Sequence, residues 1–391
     1  MSSNPSPSSQ PSSPSLARRI VVGAMSGTSA DGVDVAAVEI TGRGEAMSAK
    51  LIRHHHMPYE PALRAQIFAM RESGQCSLAI LARIGRDISA TYAVAVSDVL
   101  KADGIASSDV AAIAAHGQTL FHAPPDTIQW LDPALIAAQT GCAVVSDFRR
   151  ADCAAGGQGA PLVPFADFVL FRDRTRSRLL INLGGISNIT HIPADSSLDK
   201  VIAFDTGPGN CISDELMREL HPDGVGVDVD GALASHGKPD QELVLQILGN
   251  EYFGRRPPKS TDGPSMTALF HQTVGDLGGR SRLPDRLATA CLLTAAAIGR
   301  GVREFVAEFP DEVYVSGGGT NNAVMMSYLR DQLGGRPLRR TEELGIPSAA
   351  KEAIAFALLG AATLDHEPSN VPSATGARRR VVLGSITPRP A

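Results

Sequence analysis

The sequence is poor in the features that announce several protein classes. Its five cysteines, Cys76, Cys142, Cys153, Cys211 and Cys291, are far apart, odd in number and never spaced Cys-x-x-Cys. That argues against a disulfide framework and fits free thiols in a reducing compartment. There is no basic excess: 36 Lys and Arg stand against 41 Asp and Glu, for a net charge of −5. A nucleic-acid partner is therefore not expected, since nothing would neutralise a run of phosphates. No stretch approaches the roughly eighteen uninterrupted apolar residues of a membrane span, so no membrane partner is expected. Residues 1–16, MSSNPSPSSQPSSPSL, have no apolar core of a secretory signal and only Arg18 and Arg19 at their end. The expectation is a disordered tail on a cytoplasmic protein. What remains is 391 residues, 43% hydrophobic and 20% charged, an ordinary globular composition with room for two or three domains.

Against that background GAMSGTSADGVD, residues 23–34, stands out. It joins the apolar runs Ile20–Val22 and Val35–Val38, so it reads as strand, glycine-rich turn, strand. Glycines allow tight turns and close approach of a ligand. The turn offers the hydroxyls of Ser26, Thr28 and Ser29 and the carboxylates of Asp31 and Asp34. Donors beside carboxylates suit a phosphate with its Mg²⁺, with Asp31 as the candidate metal contact. No Gly-Lys-Ser/Thr follows, which excludes a P-loop. A strand rather than a helix follows, which excludes a dinucleotide fingerprint.

The layout recurs. LLINLGGISNITHI, residues 179–192, places Gly184 and Gly185 between two apolar strands, and VYVSGGGTNN, residues 313–322, places Gly317, Gly318 and Gly319 between a strand and a helix. Two phosphate hairpins and a late strand–glycine–helix element fit an α/β, two-domain actin-like ATPase (ribonuclease H-like) fold. Its active site would lie in the interdomain cleft, with ATP phosphates on the hairpins and adenosine near the third element. The charged segment FRDRTRSRLL, from Phe171, interrupts the apolar pattern. It puts the boundary near 175, giving an N-terminal domain of 17–175 and a C-terminal domain of 176–391.

Between these landmarks strands and helices alternate. Residues 76–103 carry apolar side chains at helical spacing. Asp132–Pro133 is a helix start. His54–His56 read as a strand end before a helix near Pro61, rather than as a metal site.

Three further segments carry polar groups at strand ends. Asp205, in AFDTGPGN, closes an apolar strand, where a carboxylate faces the crevice of an α/β sheet. It can act as general base towards water or a hydroxyl, or cap the helix that follows. DFRRADCAAGGQGAPLVP, residues 147–164, supplies Asp147, Arg149, Arg150 and Gln158, suited to a polyhydroxylated or carboxylated ligand or to ion pairs in a surface turn. HGQT supplies His116 and Gln118 after a buried strand, and zinc at His116 is disfavoured because no second ligand stands at the right spacing. Lys259, in RRPPKSTDG, either reaches a phosphate or is solvated.

Taken together, GAMSGTSADGVD, AAHGQTLFH, VVSDFRRADCAAGGQGAPLVP, LINLGGISNIT, AFDTGPGN, PPKST, VSGGGTNN and IPSAAKEAIAFALLG resemble the anhydro-N-acetylmuramic acid kinase family, in order and over the chain from about residue 20. The resemblance implies an ATP- and Mg²⁺-dependent enzyme of peptidoglycan recycling. It would open the 1,6-anhydro ring of its sugar with water and phosphorylate O6, giving N-acetylmuramic acid 6-phosphate and ADP. Asp205 falls on the family's general base. Gly27, Thr28, Ser29, Ala30, Asp31, Gly32, Val33 and Asp34 fall on its ATP-phosphate loop. Gly184, Gly185, Gly317, Gly318, Gly319 and Asn321 complete the expected nucleotide site. His116, Gln118, Asp147, Arg149, Arg150, Gln158 and Glu352 are the expected sugar contacts, and a homodimer is implied. The chain departs from the family pattern at Trp130–Leu131–Asp132 and at Asp262–Gly263–Pro264, on the sugar side. A kinase of another sugar without ring opening, and a non-catalytic actin-like protein, are the competing readings.

Overall fold

The computed structural model describes residues 18–220, 226–276 and 282–391, and the Ser/Pro-rich stretch 1–16 lies outside them. The first sheet begins with a meander of β1 (Arg19–Ser26), β2 (Gly32–Thr41) and β3 (Ser48–Pro58). Helices α1 (Pro61–Ser73) and α2 (Leu78–Ala102) follow, then β4 (Val110–Ala123), β5 (Asp126–Trp130), α3 (Pro133–Thr140) and β6 (Val144–Ser146). Strands β1–β2–β3 pair antiparallel, while β4 runs parallel to β1 and β6 parallel to β4. The short α4 (Arg150–Ala154) and α5 (Val163–Phe171) lead to the second sheet.

That sheet repeats the plan. Strands β7 (Arg178–Leu183), β8 (Ile186–Ile192) and β9 (Ile202–Pro208) form an antiparallel meander. After α6 (Cys211–Leu220), α7 (Gln241–Leu248), α8 (Glu251–Gly254), α9 (Gly263–Asp276) and α10 (Leu283–Phe305), strand β10 (Glu312–Ser316) pairs parallel with β7. Helix α11 (Ala323–Gln332) and strand β11 (Leu338–Arg340), parallel to β10, close the repeat. The orders β3–β2–β1–β4–β6 and β9–β8–β7–β10–β11 are the same topology twice. This is the duplicated ribonuclease H-like arrangement that the hairpins led us to expect.

The chain then turns back. Helix α12 (Lys351–Leu364) lies on β1, β2 and β4, and β12 (Ser385–Thr387) pairs with β6. The first sheet is thus completed by residues from beyond 350, which a single boundary near 175 assigns to the second domain. The run AIAFALLGAA is small enough to lie flush on the strands. At Gly23 a Cβ would collide with the carbonyl of Ala353, so this glycine serves helix packing and not a ligand.

Local signals explain the helix starts. Asp132 accepts from Ala134 N–H and Leu135 N–H, with Pro133 in the first turn, and Ser77 accepts from Ile80 N–H to open α2. Helix α2 buries Ile84, Ile88, Tyr92, Ala95, Val96 and Val99 at three- and four-residue steps. Helix α5 buries Phe165, Phe168 and Phe171 among side chains of both sheets, including Val38, Leu180 and Ile192. Each such phenyl contributes on the order of 1.5–3 kcal/mol. On the same helix Asp167 holds Lys351 Nζ at 2.9 Å and accepts from Thr190 Oγ1, also at 2.9 Å. The two halves therefore share one core beneath their hairpins.

Candidate active site

The first hairpin turn, Gly27–Asp31, projects beyond β1 and β2. Thr28, Ser29 and Asp31 are exposed, and Ser29 Oγ donates to Asp31 Oδ1 at 3.0 Å. Ala30 and Val33 are buried in the core, so they present main chain only, and Gly32 packs against Met57 and Pro58 of β3. A Cβ on Gly27 would meet little but the Ser29 hydroxyl. Asp34 is engaged on the sheet, 3.0 Å from His54 Nε2 and 3.2 Å from His56 Nδ1. The histidine run thus lies in β3 and meets a carboxylate there.

Two side chains brace this turn from below. Gln118 is fully buried, accepts from Ser26 Oγ at 2.7 Å and donates to Gly27 O at 3.0 Å. Its amide therefore shapes the first hairpin turn. Arg71 of α1, which the sequence did not single out, donates to Thr28 O at 2.5 Å.

His116 lies next to Gln118 on β4, also buried. Its Nδ1–H donates to Gly117 O at 2.9 Å, and its Nε2 accepts from Arg149 Nε at 3.0 Å. Burial and the adjacent guanidinium hold the imidazole well below its ordinary pKa, so it is neutral. Burial likewise lowers Arg149 to about 10, against the pull of Glu352 and Asp152. Arg149 also donates to Gly159 O at 2.8 Å. Asp147 and Arg150 pair with each other at the surface, 2.7 Å apart, as the turn reading of that segment expects. The buried Asp152 holds the glycine-rich loop, accepting from Gly159 N–H, Asn370 and Thr375. Glu352, at the start of α12, is open to solvent yet walled by protein; desolvation raises its carboxyl, with Asp34 adding to the effect and Lys351 and Arg149 opposing it.

The second cluster assembles around β7–β9. Gly209 N–H and Cys211 N–H donate to Gly185 O, and Asn210 N–H donates to Gly184 O. Asn210 Nδ2 reaches Leu183 O. The hairpin and the turn after Asp205 are therefore one unit. The third glycine element packs on it: a Cβ on Gly317 would lie 2.6 Å from Leu183 O, and one on Gly319 2.8 Å from Leu183 Cβ. Gly185 and Gly318, by contrast, face open space. Asn321 is exposed, while its neighbour Asn322 caps α11 through Met325 N–H.

Asp205 sits at the middle of β9 rather than at its end, where the sequence pattern puts it. It does not cap α6. Among the described residues its carboxylate has one hydrogen bond, from Thr261 N–H to Oδ2 at 3.0 Å. Its main chain is held by Lys259 O, which accepts from Asp205 N–H at 3.1 Å, and by Tyr252 Oη, which donates to Asp205 O at 2.7 Å. Burial raises its carboxyl to about 7, against the opposing effects of Thr261 N–H and Lys259. A base poised near neutrality is what proton abstraction needs. The loop that grips Asp205 also meets the first half: Ser260 Oγ donates to Gln158 Oε1 at 3.0 Å. Of the two departures, Trp130 turns away onto α2, donating to Leu81 O at 2.8 Å, and Asp262 accepts from Ser265 N–H at the start of α9.

The residues present suit a nucleotide with its metal. Gly27, Gly185 and Gly318 leave the room that a side chain would fill, and Asp31 is an exposed hard-oxygen donor of the kind Mg²⁺ takes alongside phosphates. Among the described residues no helix is long and apolar enough to cross a membrane.

A profile of the anhydro-N-acetylmuramic acid kinase family matches residues 19–389. Three curated relatives carry the name anhydro-N-acetylmuramic acid kinase. That of Caldanaerobacter subterraneus subsp. tengcongensis is 36% identical, covering 94% of this chain and 97% of its own. Those of Salinibacter ruber (39%, covering 95% and 96%) and Bacillus thuringiensis subsp. konkukian (37%, covering 94% and 98%) are alike. Among solved structures the chain is similar to a ROK family glucokinase from Streptomyces griseus in complex with glucose and AMPPNP, with 14% identity, a TM-score of 0.37 and coverage of 88% and 98%.

Proposed function

The chain belongs to the anhydro-N-acetylmuramic acid kinase family, and on that premise we propose how its own residues divide the work. The enzyme is a kinase of 1,6-anhydro-N-acetylmuramic acid serving peptidoglycan recycling. The observation that carries the assignment of roles is Asp205: a carboxylate on a sheet strand, tethered at one oxygen by Thr261 N–H and poised near pH 7.

In this reading Asp205 takes a proton from water as the water oxygen bonds to the anomeric carbon. The bond from that carbon to O6 breaks. The freed O6 bonds to the γ-phosphorus of ATP, the bond to the β–γ bridging oxygen breaks, and ADP leaves. The two hairpins hold the phosphates through main-chain N–H groups around Gly27–Asp31 and Gly184–Gly185, with Gly318 and Asn321 toward the adenosine. Asp31 would hold the Mg²⁺ that accompanies ATP, and the ion would supply charge neutralisation at the phosphates. Phosphoryl transfer asks chiefly for such positioning and neutralisation.

Arg149, held by His116 and Gly159 and facing Glu352, is the cation on the sugar side. Glu352 and Gln158 supply acceptors there, whereas Gln118 and His116 act one step behind, through the hairpin and Arg149. The Asp147–Arg150 pair lies at the rim. The cytoplasmic location and the homodimer implied by the family resemblance belong to the same reading, and light scattering tests the latter. A coupled ADP-release assay with the anhydro-sugar, run in ¹⁸O-water, tests the whole. Label at the anomeric carbon with one ADP per sugar supports it. ADP release without label would leave an ordinary sugar kinase.

A further inference from the structure

Lys259 is 6% exposed, and its ammonium is enclosed by aromatic rings. Nζ lies 4.9 Å from the centre of Tyr252, 5.0 Å from Phe305 and 5.5 Å from Phe204. It donates to Phe253 O at 3.0 Å and to Tyr252 O at 3.3 Å, the carbonyls closing α8. It is neither solvated nor a partner in any ion pair among the described residues. Burying an ammonium is costly unless its donors are satisfied. An apolar chain of the same length would fill this pocket without that cost, so packing alone does not account for the charge.

The same residues that hold the ammonium hold Asp205. Tyr252 accepts from Lys259 Nζ through its carbonyl and donates to Asp205 O through its hydroxyl. Lys259 accepts from Asp205 N–H, and two residues on, Thr261 N–H binds the carboxylate. The segment 259–261 thus lies beside β9, joined to it by the Asp205 N–H to Lys259 O and Thr261 N–H to Asp205 Oδ2 bonds and anchored at one end by the caged ammonium.

We propose that Lys259 is a positioning residue for Asp205: its caged ammonium pins residues 259–261 so that Thr261 N–H fixes one carboxylate oxygen and leaves the other to take the proton of the attacking water. This rests on the reading of Asp205 as the base. Charge acts in the same sense. Lys259 favours the ionised form of Asp205, which burial opposes, and Tyr252 is the other titratable group facing it. Around Lys259 itself stand Arg300 and Glu304 of α10 and Arg255 after α8; burial, Arg300 and Arg255 lower its ammonium to about 8, while Glu304 and Asp205 oppose them.

The test uses the full chain with Lys259→Met, Lys259→Gln and, as control, Asp205→Asn. Lys259→Met is expected to lower kcat about 10- to 100-fold, as a displaced catalytic group does. KM for ATP should stay within about twofold, and the acid limb of the kcat profile should move to higher pH. Lys259→Gln should show the same limb shift with a smaller loss of kcat. Unchanged kcat and acid limb in either folded variant, beside an inactive Asp205→Asn, would overturn the inference. So would failure of both variants to fold, which would assign Lys259 to stability alone. Near-normal turnover of Asp205→Asn would instead refute the base itself.

Discussion

Arg149 donates its Nε–H to Nε2 of His116 at 3.0 Å, and this one contact fixes what the histidine can do. With Nδ1–H given to Gly117 O, both ring nitrogens are committed. A guanidinium against the ring also opposes protonation, as burial does. The histidine is therefore a neutral strut for Arg149, which leaves Asp205 as the proposed proton acceptor.

Burial and Arg149 hold the ring well below the ordinary histidine pKa, so His116 is expected to stay neutral, with its proton on Nδ1, as pH falls through the usual histidine range around 6.5. Nitrogen-15 shifts of the ring through that range check it. Titration near 6.5 would show that Arg149 is not held as described.

Asp205→Asn keeps shape and can still accept from Thr261 N–H, but it cannot take a proton. Turnover should fall about 10²–10⁴-fold, the usual loss for a general base, with ATP affinity unchanged. Single-turnover rates and a nucleotide titration on the same preparation separate the two.

The pH profile should carry the mark of Asp205. If Asp205 is the base as proposed, activity needs its ionised carboxyl, so kcat/KM should rise with pH through about 7. Stability moves the other way. The unfolded chain loses this proton near the ordinary carboxyl value of about 3.9, while the folded chain keeps it to about 7. The folded state then binds more protons in that window and loses stability as pH rises. The melting-temperature gain of Asp205→Asn over the parent should therefore grow from about pH 4 to pH 7 and then level off, which a calorimetric series reads directly.

The glycines of the third element should separate cleanly. Gly317 has φ of 88° and abuts Leu183 O, so Gly317→Ala should destabilise the fold by about 1–3 kcal/mol. Gly318 and Gly185 face open space, so Gly318→Val and Gly185→Val should spare the melting temperature and raise KM for ATP. Unchanged ATP affinity in both would remove these loops from the nucleotide site.

Gln118→Ala should behave as a hairpin variant. Leaving Ser26 Oγ and Gly27 O without their partner should cost about 1–3 kcal/mol. KM for ATP should rise more than KM for the sugar, and the reverse ranking in steady-state kinetics would put Gln118 on the sugar.

Elements with a local signal were legible in the sequence. The hairpins announce themselves by glycine between apolar runs, and α3 by Asp132–Pro133. The apolar run that carries Asp205 reads correctly as a strand, although Asp205 lies within it rather than at its end. What escaped depends on contacts distant in sequence. Thr261 and Tyr252 hold Asp205 from about fifty residues away; Thr261 closes the PPKST segment but nothing there points to Asp205, and Tyr252 stands outside every motif. Gln118 sits in a polar motif yet is drawn inward by Ser26, and no spacing rule distinguishes an amide beneath a loop from one beside a ligand. The return of α12 to the first sheet is likewise silent, since a small-residue helix reads the same whichever sheet it covers.

That return sets the order in which the molecule can be completed during synthesis. Strands β1, β2 and β4 leave the ribosome early, but the apolar face formed by Val21, Ala36, Val38, Ala112 and Ala114 waits for Ile354, Ala357 and Leu358 to cover it. Even the nearest of these, Ala114 and Ile354, are roughly 240 residues apart, which at ordinary elongation rates is on the order of 10–50 s. Throughout that interval the second sheet, whose own strands are contiguous from β7 to β11, can close before the first. The amino-terminal half thus keeps an open apolar face until α12 arrives, and a chain stopped before residue 351 is expected to be cleared rather than accumulate.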